Sequence, residues 1–259
     1  MGQTGPTFLD KNNPHVIAVP YRMLWQLHSS SVISTTSKTN VMDGWPTENR
    51  NAIVALLHLV PGIGDWFMYL EDDMFLKQPI SNRYGDWISD DGLVVSSMNN
   101  PLIYSTQPDN GWIGAIWNSA KAMEKTFGRR GSRSKSLVKG MEHKIINRRH
   151  GESRHGPRLM SKCVIEEIWK NWPTEYGATV KRKTQSKLDF QMISHHSMLM
   201  EELGLGINKG DASNVREIHI FDSESGEDFA SRVCSAWRDS RVEWLQTQGD
   251  GISDEYHKY

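Results

Sequence analysis

Cysteine is nearly missing: Cys163 and Cys234 are the only two in 259 residues. That excludes a disulfide framework and a cysteine-built zinc site. A surplus of charge is missing too. The 30 Lys and Arg stand against 31 Asp and Glu for a formal net charge of −1, which argues against a general nucleic-acid binder. No Asn-x-Ser/Thr sequon occurs to mark a lumenal glycoprotein, and no repeat of about 20–50 residues is found. An uninterrupted apolar run is also lacking. Residues 52–70 approach the length of a membrane span, about 20 residues. His58, Pro61, Gly62, Gly64 and Asp65 break them into a helix, a turn and a strand. The N-terminus lacks the charged-then-apolar layout of a signal peptide, and "MGQTGP" has Pro6 where a myristoylation signal needs Ser or Thr. The expectation is a soluble chain with no membrane segment, no signal peptide and no anchor, its compartment unassigned.

What is present is unevenly placed. Between Arg129 and Lys162 there are eleven Lys and Arg against two Glu, with His143, His150 and His155 among them. This reads either as a solvated basic loop or as a surface for phosphate groups. The length suffices for one domain of roughly 200–250 residues or two smaller ones. The first forty-odd residues are rich in Ser, Thr and Asn, with strand candidates at 16–19 and 31–33. From Trp45 the pattern sharpens. Pro46 and Thr47, the latter as N-cap, open a predicted helix with Ile53, Val54, Leu57 and Val60 along one face. "PGIG" stops it, and "WFMYL" (66–70) reads as a short buried strand. "DGLVVSS" (91–97), "EIHIFD" (217–222) and "VEWLQTQ" (242–248) are further strands. Helices are expected over 112–127 (ended by Gly128), 161–169, 188–203 and 227–237. The mixed order predicts an α/β fold, a central sheet with helices on its faces.

The stretch "DWFMYLEDDMFLKQP" (65–79) carries Glu71, Asp72 and Asp73 out of that strand into a second apolar segment. Adjacent carboxylates repel and are costly to bury unless a cation or donors compensate. In open α/β sheets, ligands bind beyond the carboxyl ends of strands. Acids there can supply part of the shell that Mg²⁺ takes from protein, although caps and surface turns also use such pairs. In "RHGPRLM" (154–160), His155 lies between Arg154 and Arg158. Flanking cations disfavour its protonation and keep a neutral base available near pH 7, unless it is simply a surface histidine in a basic loop. In "TVKRKTQSKLDF" (179–190), Arg182 and Lys183 precede a predicted helix with Asp189 in its first turn, either an anion site or an ordinary charged helix start. Asp250 and Asp254 read as loop acids unless the fold brings them to Asp73.

In order along the chain, these segments resemble the Stealth family, which includes bacterial capsular-polysaccharide phosphotransferases and the animal UDP-GlcNAc:lysosomal-enzyme GlcNAc-1-phosphotransferase. "WPTENRNAIVALLHLVPGIGDWFMYLEDDMFL" is similar, without a gap, to the family segment LPTFNS-x-AIE-x-x-LHRIPGLS-x-x-F-x-YLNDD. "HGPRLMSKCVIEEIWKNWPTEYGAT" resembles its His-x-Pro segment, helix and W/F-P-E-x-F ending; "DFQMISHH" follows where the family has an Asp opening a helix. "WLQTQGDGISDEY" is a fainter echo of its last region. The resemblance covers roughly residues 45–256, leaving 1–44 as a poorly matched segment before a Stealth-like catalytic domain over 45–259.

The resemblance implies a glycosyltransferase-like central sheet flanked by helices. It also implies transfer of a sugar-1-phosphate, of GlcNAc-1-phosphate type, from a nucleotide-sugar donor to a hydroxyl of a glycan or glycoprotein acceptor. By position, Asp72 and Asp73 would hold Mg²⁺ (or Mn²⁺) and the donor diphosphate, and His155, catalytic with Asp73, would contact the transferred phosphate or take the acceptor proton. Arg154, Arg158, Arg182 and Lys183 would neutralise phosphate oxygens; Asn49 and Asp189 would help to bind substrate. Animal relatives work in the Golgi, which the resemblance implies for a eukaryotic chain. Departures are Val54 for the family Glu of AIE, Glu71 for the Asn of NDD, and Gln185 where the family has a catalytic Arg. No counterpart of its first region, a strand reading like DVVYTWVDGSD, is found. The alternative is therefore a truncated or inactive Stealth-like domain that binds a nucleotide sugar, a glycan or a protein partner. An RNA-binding module on the basic stretch ranks behind both, since no nucleic-acid motif accompanies it.

Overall fold

A computed structural model describes residues 18–30, 41–70, 74–76, 87–89, 92–96, 98–101, 106–127, 151–153, 158–208, 217–221 and 244–248. The acids at 71–73, Arg154, His155, Gly128, most of the basic segment, the strand candidate at 31–33, the predicted helix over 227–237, Asp250 and Asp254 lie outside them.

Among the described residues the helical part is built on six helices. Helix α1 (Tyr21–Ser30) buries Leu24, Trp25 and His28 and leaves Tyr21 and Met23 exposed, a one-sided face at helical spacing. It stands between the two strand candidates, in a stretch where the sequence suggested no element. Helix α2 (Arg50–Ala55) starts later and stops sooner than predicted. Its N-cap is Asn49, whose side-chain oxygen accepts the N–H groups of Asn51 and Ala52, while the Thr47 hydroxyl accepts the Asn49 N–H one step earlier. A 3-10 turn at Leu57–Leu59 and a left-handed Gly62 (φ 77°) then carry the chain to the strand.

Helix α3 (Gly111–Phe127) agrees with the predicted stripe; Asn110 caps it through Trp112 N–H and Ile113 N–H. Helix α4 (Lys162–Asn171) also agrees with the pattern. Pro173 opens helix α5 (Pro173–Lys181) at a position where a missing N–H costs nothing. Helix α6 (Met192–Glu202) begins after Gln191, so Asp189 belongs to the preceding loop and not to a first helical turn.

The strands among the described residues are β1 (Trp66–Tyr69), β2 (Met74–Leu76), β3 (Val94–Ser96), β4 (Met98–Pro101), β5 (Gly151–Ser153), β6 (Arg158–Ser161), β7 (Gly206–Asn208), β8 (Glu217–Phe221) and β9 (Trp244–Gln248). Among the described residues they pair as four small sheets: β1 with β6 and β4 with β5 antiparallel, β3 with β7 parallel, and β2–β9–β8 mixed. The content is α/β. Strand β1 is less buried than its apolar sequence suggests, with Trp66 at 50% exposure.

One apolar core joins α1, α2, β6 and the helices α3 to α6, with Trp25, Leu56, Ile168, Trp169, Tyr176 and Met192 fully enclosed. Each such side chain contributes about 1.5–3 kcal/mol through burial. Trp169 donates its indole N–H to the Ala55 carbonyl at 2.8 Å, tying α4 to the end of α2 without leaving the polar atom unsatisfied. Among the described residues no helix is long and apolar enough to cross a membrane.

Candidate functional site

Strands β1 and β6 pair antiparallel in the register Trp66↔Ser161, Phe67↔Met160, Met68↔Leu159 and Tyr69↔Arg158. The end of β1, which the acid run follows in sequence, is therefore paired with the start of β6, which Arg154 and His155 precede. The opposite end of the ladder is anchored. Lys162 N–H bonds the Asp65 carbonyl at 2.8 Å, and Ser161 N–H donates to His196 Nε2 on α6 at 2.9 Å. As the acceptor, Nε2 carries no proton, so His196 is the neutral Nδ1–H tautomer; burial pushes its pKa down to about 3. Arg158 is half-buried at the open end.

The second assembly is the loop from Arg182 to Gln191. Asp189 is 0% exposed, and both carboxylate oxygens are occupied. Oδ1 accepts Arg182 Nη1 at 2.8 Å; Oδ2 accepts Asn49 Nδ2 at 2.9 Å, Ser186 N–H at 2.9 Å and Asn51 Nδ2 at 3.5 Å. A buried carboxylate is costly unless it is paired and hydrogen-bonded, and this one is both. Asn49 is equally committed. Its oxygen caps α2 and its nitrogen reaches Asp189, an orientation that the capping N–H donors dictate. Neither Asn49 nor Asp189 presents a polar atom to solvent.

The loop backbone is held from two sides. Segment 47–49 holds one: Glu48 N–H bonds the Lys183 carbonyl at 2.7 Å, and the Thr47 hydroxyl reaches the Arg182 and Lys183 carbonyls. Helix α3 and its approach hold the other. Asn118 Nδ2 donates to the carbonyls of Lys187 and Asp189, Gln107 donates to Lys187, and Gln191 N–H bonds Ser119 Oγ at 3.0 Å. Gly114 permits this contact: a Cβ there would stand 2.8 Å from the Lys187 Cα. From this frame the Arg182 side chain emerges 29% exposed, Lys183 and Gln185 are exposed, and Lys187 pairs with Asp109. Val54 faces the core.

The structure thus brings Asn49, Arg182 and Asp189 into one contact network, with the Lys183 backbone joined to it. Arg158 stands on the β1–β6 ladder, and Asp72, Asp73, Arg154 and His155 are outside the described residues. Among the described residues no group of three or more His, Cys, Asp or Glu side chains gathers as a metal site.

Sequence reasoning missed the buried imidazoles. His28 on α1 stacks on Trp169 with ring centroids 4.6 Å apart, and His58 lies 6.2 Å from the same indole. Burial lowers His28 to about 4; burial, then the neighbouring His28 and Lys162, lower His58 to about 3. His195 shares a 3.0 Å hydrogen bond with the Tyr176 hydroxyl, whose own pKa burial raises well above 10. For His196 the helix expected over 188–203 was the one available signal; His28 had none, because no helix was expected over Tyr21–Ser30.

Comparison with known proteins gives a consistent set of relatives. The chain is 24% identical over 223 residues to capsular polysaccharide phosphotransferase SacB of Neisseria meningitidis serogroup A, covering 83% of this chain and 34% of that protein. An exopolysaccharide phosphotransferase of Streptomyces coelicolor is 26% identical over 157 residues, 60% of this chain and 15% of the relative. Capsular polysaccharide phosphotransferase fcs1 of Haemophilus influenzae is 22% identical over 173 residues, 65% of this chain and 43% of the relative. No family model matches the chain. The chain spans about a third of the length of the first of these curated relatives. It is a homologue of capsular and exopolysaccharide phosphotransferases, in agreement with the Stealth resemblance of its motifs.

Proposed function

We propose that this chain carries out sugar-phosphate transfer: it moves a hexose-1-phosphate, of GlcNAc-1-phosphate type, from a nucleotide sugar to a glycan hydroxyl. The observation that carries this reading is the Tyr69↔Arg158 pairing, which joins the strand leading into the acid run to the strand that follows His155. Its support is the homology to polysaccharide phosphotransferases. The same reading takes the short ladders as parts of one glycosyltransferase-like sheet.

In this reaction the acceptor oxygen attacks the β-phosphorus of the donor. The bond from that phosphorus to the bridging oxygen breaks, and the nucleoside monophosphate leaves with the bridging oxygen. Catalysis is then mostly positioning and neutralisation of charge. His155 takes the proton of the acceptor hydroxyl. Arg154, Arg158, Arg182 and Lys183 face the phosphate oxygens, and Asp72 and Asp73 present hard oxygen donors of the kind that Mg²⁺ or Mn²⁺ takes. A divalent cation, when bound, supplies positive charge beside the diphosphate. Asn49 and Asp189, being buried, serve as the frame behind the ligand surface.

A second reading, donor or glycan binding without transfer, is favoured by one feature. Gln185 is exposed on the loop at a position where the family resemblance calls for an arginine, and an amide supplies no full charge. Incubation of the chain with UDP-GlcNAc, Mg²⁺ and an oligosaccharide acceptor separates the readings by the nucleotide released. Phosphoryl transfer yields UMP, lost in His155→Ala; UDP would indicate glycosyl transfer and refute the proposal. Donor binding without either product favours the binding domain.

A further inference from the structure

We infer that Asp189 is a positioning residue that presents Arg182 as a preformed ligand for a phosphate group; the inference rests on the phosphotransferase reading above. Arg182 spends only one corner of its guanidinium on the protein: Nη1 donates to the Asp189 carboxylate at 2.8 Å and to the Leu188 carbonyl at 3.1 Å. Among the described residues nothing engages Nε or Nη2, and the side chain is 29% exposed while its partner is 0% exposed. The clamp is asymmetric, buried on one side and open on the other. The Nε–Nη2 edge carries parallel N–H groups whose spacing matches two oxygens of a phosphate.

Four features make this a presentation device and not an incidental ion pair. The carboxylate itself is fixed by Asn49, Asn51 and the Ser186 N–H. The loop that carries both residues is pinned from segment 47–49 and from α3, so the guanidinium has little freedom left to lose when a ligand arrives. Lys183, next in sequence and exposed, gives the same loop a second positive charge. Arg182 also keeps its full charge at any working pH. A lysine in its place could satisfy Asp189 or reach a ligand, but its single nitrogen offers no second rigid edge.

The test measures affinity for inorganic pyrophosphate by calorimetry on the full chain, with each variant's fold checked by thermal unfolding. Arg182→Ala is expected to weaken binding roughly 10- to 100-fold, the range for one charge-assisted contact. Asp189→Asn, although it never touches the probe, is expected to lose most of the same factor and to add little in an Arg182→Ala background. Folded Asp189→Asn with wild-type affinity, or a loss that persists fully without Arg182, overturns the inference while leaving the phosphotransferase reading intact. If Asp189→Asn does not fold, Arg182→Lys decides: reduced affinity supports the inference and wild-type affinity overturns it. A wild-type chain that binds no pyrophosphate overturns the underlying phosphate-site reading instead.

Discussion

Acidification from pH 7 to pH 5 should strip this chain of much of its stability, and three imidazoles account for the loss. His28, His58 and His196 are each about 2% exposed, and burial holds their pKa values near 4, 3 and 3. In the unfolded chain each titrates near 6.5. Below pH 6.5 the unfolded state takes up protons that the folded state refuses, so stability falls with pH until about pH 3–4, where the folded imidazoles charge as well. At pH 5 the interval below 6.5 is about 1.5 units, which at about 1.4 kcal/mol per unit costs about 2 kcal/mol per histidine. The three together cost about 6 kcal/mol, against a typical total of 5–15 kcal/mol. Geometry gives the same sign independently: protonated His196 would turn a donor toward the Ser161 N–H that it now accepts. Urea unfolding between pH 7.5 and 5 should show a slope of about 4 kcal/mol per pH unit in the acid half of that range, corresponding to about three protons. His196→Gln, which can still accept from Ser161 and does not titrate, should reduce the slope by about one proton. A stability profile flat between pH 6.5 and 5 would refute the burial argument.

Asn49→Ala removes the cap of α2 and the 2.9 Å donor to buried Asp189. A loss of about 2–4 kcal/mol is expected from the two effects, read from denaturant midpoints. Asn49→Asp keeps the capping oxygen but sets a second carboxylate against the first, so it should be worse than alanine; equal or better stability would dismiss the network. Gly114→Ala drives a Cβ into the Lys187 backbone at 2.8 Å and should cost about 1–3 kcal/mol, lowering the Tm by several degrees.

Elements with strong periodicity were legible in the sequence. The stripe of α3, the apolar run of β1 and the alternation of β8 all fall where the pattern put them. Helices α1 and α5 did not stand out. The first is short and stable only because its Leu24–Trp25–His28 face meets the core. The second begins with a proline that reads equally as a stop or as a first helical residue. At α2 two good caps compete within three residues, and Asn49 prevails over Thr47 because its amide also satisfies Asp189 across 140 positions of chain. That long-range contact has no local signature. The family resemblance named Asn49, Arg182 and Asp189, yet only the fold reveals that two of them are interior and that the arginine alone among them reaches the surface. The buried histidines were least legible of all, because a neutral imidazole against tryptophan looks in sequence like any polar residue.

The central claim, that the segments leaving β1 and entering β6 make one diphosphate site, is tested most directly by titrating UDP-GlcNAc into the folded chain with and without Mg²⁺. The account predicts tighter donor binding with the metal, an enhancement abolished in Asp73→Asn and kept in His155→Ala, which loses turnover alone. A well-folded chain whose donor affinity is indifferent to Mg²⁺ would contradict it.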